Sequence, residues 1–139
     1  MEHPITARGL PRVLVVHRDA LLREAIAVVL AARPGVAEVA CAGSAAEALR
    51  FADHGEFGMA LIDLGLPKAE LASLVGALRG AGTRVVGLAG TDAEATAGRR
   101  AGVDAVGRAE RPLEALLAEL FPEVGSLPAT APDEGAVEG

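Results

Sequence analysis

The sequence predicts an α/β fold, a five-stranded parallel sheet covered by helices on both faces. Three observations carry this reading. Short apolar runs alternate five times with segments of helical periodicity. The first run, Val13 to Val16, is unbroken valine and leucine, as a strand buried on both faces requires. Two Ser/Thr-x-x-Glu boxes follow such runs and open helices. Units of this kind assemble through right-handed crossovers and gather their chemistry at the carboxyl ends of the strands.

Residues 1–11 are polar and irregular and end at Pro11, so they read as an N-terminal extension. After the first strand, Asp19 suits a helix cap. Leu22, Ile26, Val29 and Leu30 then repeat at helical spacing through Ala32, and Pro34-Gly35 ends the pattern. Val36 to Ala42 alternates as a second strand. Ser44 to Glu47 is the first capping box, and its helix ends near Gly55. Met59 to Ile62 is a third strand that stops on Asp63. Pro67 suits the first turn of a helix reaching about Leu78, which Gly80 and Gly82 break. Arg84 to Leu88 is the fourth strand. Thr91 to Glu94 is the second capping box, for a helix to about Ala101 with Gly102 as its C-cap. Val103 to Val106 is a weak fifth strand, and Pro112 to Leu120 a last amphipathic helix. Residues 122–139 are rich in Pro, Gly, Ala and acid, the composition of a disordered tail or linker.

Composition excludes several functions. Phe51, Phe57 and Phe121 are the only aromatic residues, so there is no stacking platform for bases. The net charge is −6, and Glu123, Asp133, Glu134 and Glu138 fall in a tail without Lys or Arg. That is no footprint for direct nucleic-acid binding. The single Cys41 excludes an internal disulfide and fits a reducing compartment. The longest strictly apolar run, Ala25 to Ala32, is too short to span a bilayer, and the N-terminus lacks a basic-then-apolar signal pattern. A cytoplasmic chain is expected. "GAGTR", from Gly80, lacks the third glycine of a dinucleotide fingerprint. There is no phosphate-binding loop and no Gly-x-Ser-x-Gly elbow, and no enzymatic activity is expected. His3 and His54 read as surface residues, and Arg99-Arg100 as a basic pair favouring a helix C-terminus.

The strand ends present His17, Arg18 and Asp19, then Asp63, then Ala89-Gly90-Thr91, then Gly107-Arg108-Ala109. Asp63 is the most specific of these, since it sits where a buried run stops. From position alone it is as well a turn or capping residue as a functional one.

The chain from Arg12 to about Phe121 resembles the CheY-like receiver domain of bacterial response regulators. The resemblance is to the LuxR/NarL-type subgroup, whose receivers are joined to a helix-turn-helix output domain. It rests on "DALLREAIAVVL", "ALIDLGLP" and "AGVDAVGRAERPLEALLAEL" in succession. It implies strand order 2-1-3-4-5 and a phosphoacceptor aspartate at Asp63, served by a histidine kinase. It also implies two acids after the first strand that hold Mg²⁺ with the acceptor, a Thr or Ser after the fourth strand, and a Lys after the fifth. The acid positions hold His17 and Arg18. Ala89 stands for the hydroxyl residue. Ala109, or Arg108 if the loop is one residue shorter, stands for the lysine, and Val106 for the aromatic of the switch.

Those replacements have a size. Mg²⁺ wants hard oxygen ligands in octahedral geometry. Two unit charges 4 Å apart interact by about 4 kcal/mol at an effective dielectric of about 20, and a divalent ion doubles this. Arg18 at the metal position therefore repels what the acids would attract. The expectation is a degenerate receiver that acts through a protein partner, an output domain or a homodimer, with Mg²⁺ binding weak or absent. The alternative is a working phosphoacceptor in which Arg18 or Arg108 stands in for metal or lysine. Arg18 is expected either to pair with Asp63, holding it ionised, or to point to solvent. His17 is expected as a hydrogen-bonding group, sensitive to pH if it faces Asp63.

Overall fold

A computed structural model describes residues 12–120 of the chain. The elements in order are β1 (Arg12–Val16), α1 (Ala20–Ala31), β2 (Glu38–Ala42), α2 (Ala45–His54), β3 (Met59–Asp63), α3 (Lys68–Gly80), β4 (Arg84–Ala89), α4 (Asp92–Ala101), β5 (Ala105–Arg108) and α5 (Leu113–Leu120). The five strands form one parallel sheet in the order β2-β1-β3-β4-β5, as expected. The N-terminal extension, Phe121 and the acidic tail lie outside the described residues.

Strand alternation builds two cores. Leu14, Val16, Ala60, Ile62, Val85 and Ala89 face one side and pack with Leu71, Leu74 and Leu78 of α3 and Ala95 of α4. Val13, Val15, Leu61, Val86 and Leu88 face the other and meet Ile26 and Leu30 of α1 and Leu116 and Leu117 of α5. All of β3 is buried, including Asp63 at its end. The carboxylate is thus pinned at the middle of the carboxyl edge, which positions the candidate site.

The capping signals work as read. Asp19 accepts from the amides of Leu21 and Leu22, Ser44 from Glu47 and Thr91 from Glu94. Gly102, at φ 100°, ends α4 in the left-handed region. Three elements depart from the sequence expectation by two residues; the other boundaries shift by one at most. β2 starts at Glu38, because the Val36 amide donates to the Arg33 carbonyl and closes the turn after α1. α3 runs through Gly80, with Pro67 as its cap rather than its first turn, and the chain reverses at Gly82, at φ 88°. β5 is Ala105–Arg108, because Val103 donates to Gly98 at the end of α4 and pairing begins only at Ala105 opposite Val86.

Helix α4 lies close to the sheet because two glycines leave room for one leucine. A Cβ on Gly87 of β4 or on Gly98 of α4 would come within 2.5 Å of Leu64 Cδ1. Leu64 is buried in the turn after Asp63 and fills the gap between strand and helix. Ala is the better helix former, yet Gly98→Ala should destabilise the fold by about 1–3 kcal/mol through overpacking. In a Leu64→Ala background the same substitution should be neutral or stabilising. Denaturant midpoints of the four proteins test this, and strictly additive effects would refute the wedge.

Candidate functional site

The site forms because β1 and β3 are neighbours, so the turn after β1 lies against the end of β3. Asp63 is 3 % exposed. A carboxylate that deep must be paired or hydrogen-bonded. Arg18 supplies both needs. Its Nε donates to Asp63 Oδ2 at 2.6 Å and its Nη2 to Oδ1 at 3.2 Å. The Arg18 amide donates to Oδ2 at 3.2 Å and the Gly65 amide to Oδ1 at 2.8 Å. A carboxylate has about four lone-pair sites, and these four N–H donors occupy them.

Electrostatics follow from this geometry. Burial pushes the Asp63 carboxyl up. The Arg18 guanidinium, the Gly65 and Arg18 amides and the charge of His17 together outweigh it, so the group lies below the ordinary carboxylate value. In return, the hydrogen bond and charge of Asp63 raise Arg18, and Glu94 adds to this through its charge. The Arg18 side chain stays about half exposed, so the cation keeps much of its hydration.

His17 sits beside the pair. Its Nδ1 is 3.7 Å from Asp63 Oδ2 and accepts the Asp19 amide at 3.1 Å. Asp19 itself is a helix cap and turns its oxygen to α1.

The other strand-end residues do not reach Asp63. Ala89 is buried at the end of β4 and offers a methyl group; its carbonyl accepts the Ala109 amide at 2.8 Å. Val106 is half-buried against the α2–α4 core. Arg108 is drawn away by Asp92 of α4, at 2.6 Å, and lies 3.8 Å from Glu110. The structure therefore brings His17 and Arg18 onto Asp63, while Ala89, next to Asp63's sheet partner Leu88, and Val106, Arg108 and Ala109 make no hydrogen bond or ion pair to it among the described residues.

Two participants escaped the sequence reading. Gly65 provides an amide to Asp63 and also leaves space for Arg18, since a Cβ there would collide with the guanidinium. Glu94 of α4 has Oε2 within 3.0 Å of that same position and Oε1 on the Gly90 amide. Gly65, two residues past the strand-end acid, was the available signal; nothing local pointed Glu94 at Arg18.

The donor set is a poor match for a divalent cation. Among the described residues no group of three or more His, Cys, Asp or Glu converges. Asp63 is saturated by donors, and the charged group bonded to it is a guanidinium rather than a second carboxylate.

No family model and no curated protein matches the sequence. Solved structures do match. The receiver domain of the NarL response regulator from Mycobacterium tuberculosis superposes with a TM-score of 0.71 at 22% identity, over 83% of this chain and 96% of that one. A response regulator from Burkholderia pseudomallei, solved with a phosphorylated aspartic acid, calcium and citrate, gives 0.65 at 25% identity, over 91% and 75%. CheY6 of R. sphaeroides, in complex with the P1 domain of CheA3, gives 0.68 at 22%, over 86% and 97%. This chain has the fold of the CheY-like response-regulator receiver domains.

Proposed function

We propose that the protein is a pseudo-receiver, a regulatory protein-interaction module whose phosphoacceptor position is closed by its own arginine. The observation that carries this is the two-pronged Arg18 contact on Asp63. A receiver needs its acceptor oxygen free to attack phosphorus, and a metal to gather charge around the phosphoryl group. Here every acceptor direction of Asp63 holds an N–H, and the cation at its side is tethered to the chain. Mg²⁺ has to displace Arg18 to bind, and it gains no acid pair by doing so. Output then passes through a protein partner, an attached output domain or a second copy. A protein partner suits the fold, as the CheY6 complex illustrates for that protein. Among the described residues no helix is long and apolar enough to cross a membrane.

The frame around the site favours one state. Leu64 wedges α4 against β4. Glu94 ties the start of α4 to Gly90, and Asp92 ties it to Arg108. With Ala89 and Val106 in place of a hydroxyl and an aromatic, nothing on these elements is equipped to report a phosphoryl group.

The Asp63 carboxyl should titrate below the ordinary 3.8 in the folded protein. A depressed group contributes stability that is fully present above the unfolded value and is lost as pH falls through the folded value. Arg18→Ala should raise the Asp63 pKa, shrink that acid-induced loss, and cost about 1–3 kcal/mol at neutral pH through the lost charged hydrogen bonds. Carbon-detected NMR of the side chain, paired with denaturation across pH, reads both. An unchanged Asp63 titration would show that the pair is not formed in solution.

A direct test of function is Mg²⁺ followed by beryllofluoride, a mimic of Asp-bound phosphoryl, on ¹⁵N-labelled protein. The expected result is no spreading shift from Asp63 into β4 and β5. His17→Asp combined with Arg18→Asp should restore Mg²⁺ binding. Shifts in the unmodified protein would instead make Asp63 a working phosphoacceptor for a histidine kinase.

A further inference from the structure

Helices α3 and α4 frame a groove of about 370 Å³ on the face opposite α1 and α5. Its floor and walls are Leu71, Ala72, Ala97 and the aliphatic part of Thr96; Lys68 and Arg100 stand at its margins. Both cations are exposed, and among the described residues neither is in an ion pair. Two other hollows among the described residues differ. The one between α2 and α3 carries Glu70, and the one at Arg79 contains that residue's own partner, Asp104. The α3–α4 groove is apolar inside and positive at the rim, with no acid among its lining residues.

The chain holds a matching segment. Residues 133–138, Asp-Glu-Gly-Ala-Val-Glu, place three acids around Ala136 and Val137 and contain no cation. Topology brings the two within reach. Helix α5 follows the carboxyl end of β5 and runs back, so Leu120 lies at the amino edge of the sheet, where α4 also ends. β5 is an edge strand next to β4, so a path from the end of α5 to the α3–α4 face has only that edge to round. Crossing the sheet takes two layer spacings of about 10 Å each. Twelve residues separate Leu120 from Asp133, and extended chain covers about 3.3 Å per residue, roughly 40 Å. Tethering at that length gives an effective concentration on the order of millimolar, so weak surface contacts suffice.

We infer that the acidic segment Asp133–Glu138 docks in the α3–α4 groove of its own chain, with its carboxylates on Lys68 and Arg100 and Val137 on the apolar floor. This inference stands on the groove and the tail, and is independent of whether Asp63 accepts phosphate.

The test uses the full chain with Cys41→Ala and a nitroxide on Gly135→Cys. Paramagnetic broadening should fall on the amides of Ala72, Thr96 and Ala97. It should vanish in Lys68→Glu/Arg100→Glu and fade at about 1 M salt, where the Debye length is about 3 Å. Unshifted strand amides in that variant show that its fold is intact. Adding Asp133→Lys/Glu134→Lys to the same variant should restore the broadening. Broadening confined to residues next to the label, or centred on another face, overturns the proposal. So does broadening seen only when spin-labelled, unenriched protein is mixed with unlabelled ¹⁵N protein, since the occupant is then a second copy.

Discussion

The structure turns on one buried charge. β3 is the middle strand of the sheet, its five residues are buried, and it ends in Asp63. A bare carboxylate there would carry a large desolvation cost. Arg18 removes that cost without burying a second ion, because its stem crosses the turn while its head stays half in solvent. The asymmetry matters. A fully buried ion pair penalises both partners, and its net benefit is small. Here the carboxylate is desolvated and the guanidinium only in part, and the two amide bonds to the carboxylate come from the turn backbone at Arg18 and Gly65.

The arginine also disciplines its surroundings. In its present position it fills the space a Cβ at Gly65 would take and brings its positive charge toward Glu94. Glu94 is at the same time part of the capping box that starts α4. The loop after β1, the end of β3 and the first turn of α4 therefore share one electrostatic cluster. Behind it, Leu64 fills the space that Gly87 and Gly98 leave. The two residues that follow one another in sequence thus act on opposite sides: Asp63 gathers charge at the edge, and Leu64 locks the helix underneath.

Most of the fold was legible in the sequence, because it is written in local terms. Val13–Val16 can only be a covered strand, and the boxes at Ser44 and Thr91 start helices wherever they occur. The boundaries that moved are those where backbone bonding decides. Val36 and Val103 have strand-forming side chains, but their amides are taken by the preceding helix ends, so pairing starts two residues later in each case. At the site, sign and proximity were enough to suggest Arg18 against Asp63. The roles of Gly65 and Glu94 depend on where a guanidinium lies in space, which no spacing along the chain encodes. Arg108 shows the converse: it is the right charge at a strand end, but Asp92 and Glu110 are nearer than Asp63.

If, as proposed, a tethered cation replaces an exchangeable metal, the kind of device that the fold can be changes. A ligand shifts a conformational equilibrium only by its differential affinity for the two states. Moving a population from 1:99 to 99:1 takes about 5.5 kcal/mol of such preference. Mg²⁺ and a phosphoryl group can supply it because they come and go. Arg18 is always present at the same effective concentration, so whatever bias it gives is constant. On the proposed pseudo-receiver reading, such a site sets a state rather than reporting one. Under the proposed pseudo-receiver function, responsiveness enters through surfaces that still gain and lose ligands, the helix faces rather than the strand edge.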